Sequence, residues 1–172
     1  MKTMLIACFL TVLPAMSAAQ TPPQFAAAFD AIAANLSDAA TAMPADKFGY
    51  RPVAEVRSFG QVIAHVTGAH FLYCSQALGT RMPPEVLKQL GALRPYSDVP
   101  TEARARPYDK SELSALLAQS LAFCRSAYES TDAKGWGTLI NNIAHSNEHY
   151  GNLVVYMRQN AIVPPSTART AK

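Results

Sequence analysis

The chain has 172 residues, enough for one domain with a single core. About half of them are apolar (49%) and 16% are charged, which excludes a disordered polyelectrolyte. The formal charge of +3 comes without a Lys/Arg cluster, so nucleic acid is not an expected partner.

In chain order, residues 1–19 read as a secretory signal peptide. Lys2 supplies a positive start, residues 4–13 a short apolar core, and Pro14 breaks that core. Ser17, Ala18 and Ala19 then offer small side chains for cleavage before Gln20. The apolar run is too short to span a hydrocarbon layer of ~30 Å as a helix. Too few apolar residues precede Cys8 for a lipoprotein signal. No second long apolar run follows, so the expectation is a periplasmic or secreted protein without a stable membrane anchor. Without Lys2 the chain carries 14 basic and 12 acidic residues, a formal +2.

Residues 20–165 read as an all-α domain with four long helices. The first is predicted over 23–43, where Phe25, Phe29, Ile32, Leu36, Ala40 and Met43 recur at steps of three and four. Pro44 ends it, and 45–57 is a connector. The second is predicted to open at Ser58, which forms a capping-box pattern with Gln61, and to stop at Gly79. Phe59, Val62, Ile63, Val66, Ala69, Tyr73 and Ala77 line its apolar face. Residues 80–108 contain five prolines and are predicted to travel, with one short helix near 85–91. The third long helix opens at Asp109, with Leu113, Leu117, Leu121, Cys124 and Tyr128 as its stripe. The fourth is predicted over 138–160, with Asn160 as a left-handed cap and Pro164-Pro165 forbidding continuation. Residues 166–172 read as a frayed polar tail.

Four such helices make a bundle the natural packing solution. The 80–108 link is too long for a turn. It can cross the bundle and leave the second and third long helices parallel. Cys74 lies 16 residues past Ser58, and Cys124 lies 15 past Asp109, so both cysteines reach nearly the same height. A disulfide between Cys74 and Cys124 is therefore geometrically open, and an oxidising compartment favours it. The alternative is two buried free thiols. Neither belongs to a CxxC pattern.

Chemistry concentrates on the histidines. His145 and His149 stand at i and i+4 on the fourth long helix, one turn apart on one face. His65, on the second, faces them if the two helices are antiparallel neighbours. Three imidazoles would leave positions open for water or substrate, as a catalytic rather than a structural metal site does. His70, about 140° around the helix from His65, reads as packing or surface. Residues 145–149 also match H-x-x-E-H, the inverted zinc-protease pattern. No acidic residue follows Glu148 to complete that ligand set, and the reading is set aside. A di-iron carboxylate bundle lacks its Glu-x-x-His pairs. Asn142 and Tyr156 lie near the histidine face and are candidates to orient ligands or substrate. Arg57, just ahead of the second helix, is placed to meet an anion.

Several stretches resemble the DinB-like family, also known as DinB/YfiT-like metalloenzymes. They are Tyr50-Arg51-Pro52, Glu55 through Gly60, His65-Val66, His145 through Gly151 leading into Val154-Val155-Tyr156, and Ile162 through Ser166. The resemblance covers nearly all of the chain after residue 19. It implies a four-helix bundle with a long crossover between helices 2 and 3. It also implies a divalent ion, of zinc, nickel or manganese type, on His65, His145 and His149. Dimers are common in that family, and a homodimer is an expectation here. Characterised relatives include thiol-dependent S-transferases and a maleylpyruvate isomerase. The export signal departs from those cytosolic enzymes and weakens the case for a cytosolic thiol cosubstrate.

The chemistry expected of such a site is Lewis acidity, which makes a water or thiol nucleophilic near neutral pH. A divalent-metal-dependent small-molecule enzyme, a thiol-dependent transferase or a hydrolase, is the leading expectation. The alternatives are a non-catalytic periplasmic metal- or ligand-binding bundle and a structural bundle without metal. No nucleophilic Ser, Cys or phosphate-loop signature is present.

Overall fold

The computed structural model describes residues 21–93 and 109–171. The expected signal segment, Lys172 and most of the crossover lie outside these residues. Four long helices form the body: α1 (Pro23–Ala42), α2 (Phe59–Ala77), α4 (Lys110–Ser130) and α5 (Trp136–Gln159). Two shorter ones join them, α3 (Pro84–Leu93) and α6 (Pro165–Thr170), with a 3-10 turn over Ala45–Lys47. Among the described residues there is no strand, and no helix is long and apolar enough to cross a membrane.

Side-chain pairs give the relative directions. His70 meets Ser120 and Cys74 is bonded to Cys124, so α2 and α4 advance together and are parallel. His65 lies against His145 and His149, whereas Cys74 lies near Asn142, so α2 and α5 run antiparallel. The Arg125–Asp30 ion pair, and the Lys110 ammonium on the carbonyls of Thr41 and Met43, set α1 antiparallel to α4. The chain thus runs up, down, down, up, with the crossover between the parallel pair. α2 and α1 each pack against both α4 and α5.

Burial drives this arrangement. Phe29, Ile32, Leu36 and Met43 of the first stripe join Phe59, Ile63, Val66, Leu113, Leu117, Leu139, Leu153 and Met157 in one core. Phe29 stacks on Tyr128 with ring centres 4.4 Å apart, and the Tyr128 hydroxyl donates to the Leu139 carbonyl. α2 is buried on nearly every side, because α4, α5 and the 43–58 connector surround it. Its start is fixed by a complete capping box: Ser58 accepts from the Gln61 N–H, and the Gln61 side chain accepts from the Ser58 N–H.

The helix ends carry the corrections. α5 starts two residues earlier than predicted. Trp136 docks edge-on against Phe25, and Gly135 fits where a Cβ would collide with Thr131 and the Ala77 carbonyl. Asn160 is not left-handed; its φ is −103° and its side chain donates to the Tyr156 carbonyl. The left-handed residue is Ala161, at φ 57°. There the Ile162 N–H bonds to Met157 O and the Ala161 N–H to Arg158 O, a Schellman closure. α2 ends the same way, with Gly79 at φ 65°. Only the glycine is free of Cβ strain. Ala161→Gly is therefore expected to stabilise the chain by about 0.5–1 kcal/mol, net of the added unfolded-state freedom, read as a higher denaturation midpoint.

The tail is also corrected. Residues 165–170 are helical, with Pro165 at the first position, where its missing N–H costs nothing. Arg169 reaches Asn35 and Asp38 of α1, and the Tyr150 hydroxyl bonds to Ser166, so the segment is tied to the bundle.

Candidate metal centre

His65 sits in the second turn of the capped α2. His145 and His149 project from consecutive turns of α5. Because the two helices are antiparallel neighbours, all three rings meet. The Nε2 atoms of His65 and His145 are 3.0 Å apart, and those of His149 and His145 are 3.1 Å apart. One ligand atom from each of the three lies within 4.8 Å of the others, and no carboxylate or thiol joins them among the described residues. His149 is buried, and His65 and His145 are half-buried.

Hydrogen bonding alone does not account for this contact. A neutral imidazole nitrogen either donates one proton or offers one lone pair. His145 Nε2 has two other ring nitrogens at bonding distance, so it cannot serve both well. A divalent ion satisfies all three lone pairs. Donors adjacent on an ion at about 2.1 Å are roughly 3.0–3.4 Å apart, which matches both short separations. The donor set therefore fits a divalent metal with nitrogen preference.

The electrostatics keep the His145 and His149 rings neutral. Burial, reinforced by the charges of His65 and Arg57, lowers the His145 pKa to about 4. Burial again comes first for His149, lowered to about 3 with contributions from His145, His65 and Arg57. Near neutral pH, protons do not compete for the lone pairs of these two rings. The Nδ1 atoms of His145 and His149 are buried without a partner among the described residues. Among the described residues no carboxylate thus raises the basicity of these two rings, and the positive charge of an ion would stay largely on the ion.

The other sequence candidates take different places. Asn142 is buried and turned away from the triad; its Nδ2 donates to the Tyr128 hydroxyl and lies 3.7 Å from both disulfide sulfurs. Tyr156 is buried in the core, its hydroxyl donating to the Arg57 carbonyl at 3.0 Å. Glu148 is exposed and outside the cluster. Cys74 and Cys124 are bonded, with Cα atoms 5.3 Å apart.

Sequence reading missed one contact, that of Tyr73, whereas His70, expected as packing or surface, is packing. Tyr73, two turns beyond His65, meets His145 edge-on at 5.6 Å; its i+8 spacing was the available signal. His70 is fully buried between Ser120 and Ser146, at 3.1 Å from each hydroxyl. Ser120 donates to the Leu117 carbonyl, so it accepts from His70 Nδ1–H, and His70 Nε2 accepts from Ser146. This brace ties α2, α4 and α5 together beside His145.

Neither the curated proteins nor the solved structures give a match to this chain. The profile of the DinB superfamily matches residues 28–160, a span that contains all three histidines. That span runs from the second turn of α1 to the cap of α5 and takes in every long helix of the bundle, so the chain belongs to the DinB superfamily.

Proposed function

We propose that this chain is an exported protein that holds one divalent ion on His65, His145 and His149 and acts on a small molecule, as a transferase or hydrolase. The observation that carries the reading is the convergence of three ring nitrogens from two helices, with two separations near 3 Å. When bound, such an ion supplies Lewis acidity. The chain's own contribution is to present ring lone pairs, to fix their directions through two packed helices, and to pack Tyr73 edge-on against His145. Export is supported by the pattern of residues 1–19 and by the Cys74–Cys124 bond, which an oxidising compartment maintains. The metal is of zinc, nickel or manganese type; imidazole-only ligation favours zinc or nickel over manganese.

Elemental analysis of protein dialysed against zinc tests the reading. About one ion per chain is expected for the wild type, and almost none for His145→Ala at unchanged helix content. Equal metal in both proteins would refute the site. A second reading, a non-catalytic metal- or ligand-binding bundle, draws on the lack of any described carboxylate in the cluster to act as general base. Loaded protein that turns over thiol–electrophile pairs or simple esters supports the enzyme; inertness across both classes supports the binding role.

A further inference from the structure

Away from the triad, the two helices that carry it meet again at His70. His70 stands five residues past His65 on α2, a rise of about 7.5 Å, and Ser146 directly follows His145 on α5. His70 Nε2 and Ser146 Oγ are 3.1 Å apart, and His70 Nδ1 is 3.1 Å from Ser120 Oγ on α4. None of the three side chains has exposed surface. Phe29 of α1 meets the same ring edge-on, with centroids 5.9 Å apart. All four long helices therefore touch one imidazole. The Cys74–Cys124 bond also braces the bundle, but it joins α2 to α4 and leaves α5 outside.

Three ring nitrogens at the spacing of the triad do not lock α5 to α2 by themselves, because His145 Nε2 cannot bond both its neighbours well. Apolar packing presses the helices together but has no direction, so it tolerates small slides and rotations. A buried hydrogen bond does not: its distance and angle both count, and a buried ring nitrogen stripped of its donor bears the full desolvation cost. An aliphatic side chain at residue 70 would fill similar space with no polar group to satisfy. It could not pin α5 to α2 at a bond's distance.

We propose that His70, through its bond to Ser146, is a positioning residue for the metal site: it sets the register of α5 against α2 and so keeps His65, His145 and His149 at ligand spacing. This rests on the three-histidine reading above and adds to it a pair of side chains that touch no ion. Ser120 has a different part. It orients the ring from α4, a helix that carries no ligand.

Zinc affinity, measured by competition with a chromogenic chelator on protein that circular dichroism shows to be folded, tests this. Ser146→Ala is expected to bind zinc about ten- to a hundredfold more weakly than the wild type. Ser120→Ala is the control. His70 still bonds Ser146 in either tautomer, so this variant should lose stability yet keep its zinc affinity within about twofold. His70→Leu combined with Ser146→Ala leaves no buried ring nitrogen unpaired. It should hold its urea midpoint better than Ser146→Ala alone while binding zinc as weakly. With cobalt(II) in place of zinc, the visible bands should shift in both Ser146→Ala proteins and match the wild type in Ser120→Ala. Zinc affinity that merely follows the urea midpoint across the three variants, or a Ser146→Ala protein that binds zinc as the wild type does, would overturn the inference and leave the metal site standing. A wild type that takes up no zinc would sink the metal site itself, and the positioning role with it.

Discussion

Replacing Cys74 and Cys124 together by alanine is expected to lower folding stability by about 3–4 kcal/mol, with a melting temperature roughly 10 °C lower. The bond closes a segment with a sequence separation of 50 residues, and that constraint on the unfolded chain gives most of the figure in the chain-entropy view. Both cysteines are fully buried, so two small cavities add to the loss. Asn142 Nδ2 loses its sulfur neighbours but keeps the Tyr128 hydroxyl, so no buried donor is stranded. Thermal scans with and without dithiothreitol give the check. The wild type should drop toward the variant once reduced, and the variant should ignore the reductant. A reduced wild type, its thiols confirmed by labelling, that melts where the oxidised protein does would contradict this account.

Mild acid should destabilise the metal-free protein well before its carboxylates protonate. His70 has no exposed surface, and burial first, then the charge of His145, pushes its pKa from 6.5 down to about 3. Above pH 6.5 the ring is neutral in both folded and unfolded chains, and its full contribution is present. Between 6.5 and about 3 the unfolded chain takes a proton that the folded one refuses. Stability therefore falls as pH falls, by up to about 1.4 kcal/mol per pH unit for this group. His145 and His149, also lowered, act in the same direction. Urea unfolding at several values between about pH 7 and 5, where carboxylates remain mostly ionised, should show a rising slope toward acid. His70→Gln should flatten part of it. A wild-type free energy that stays level over that range would dismiss the buried neutral ring as its source.

Much of this architecture was legible because its signals are local. The Ser58–Gln61 box, the 3.6-residue apolar stripes and the Pro44 stop each act within one or two turns, and α1, α2 and α4 begin and end close to where those signals stand. The i, i+4 histidines on α5 are likewise local. His65 could be added because the length of the 80–108 link implies which helices run parallel. What escaped depended on tertiary contacts. Trp136 enters α5 because Phe25 receives it, and residues 165–170 become helical because α1 and Tyr150 hold them. Asn142 and His145 are three residues apart, yet one turns to the disulfide and the other to the triad, a divergence that helical spacing alone does not resolve.

The Cys74–Cys124 link spans the entire passage from the end of α2 into the body of α4, including α3. That passage is a covalent ring. A single proteolytic cut anywhere between the two cysteines opens the ring without releasing a fragment. α1, α2 and the first histidine stay tethered to α5 and the other two, and a nicked molecule still has all three imidazoles on one covalent body.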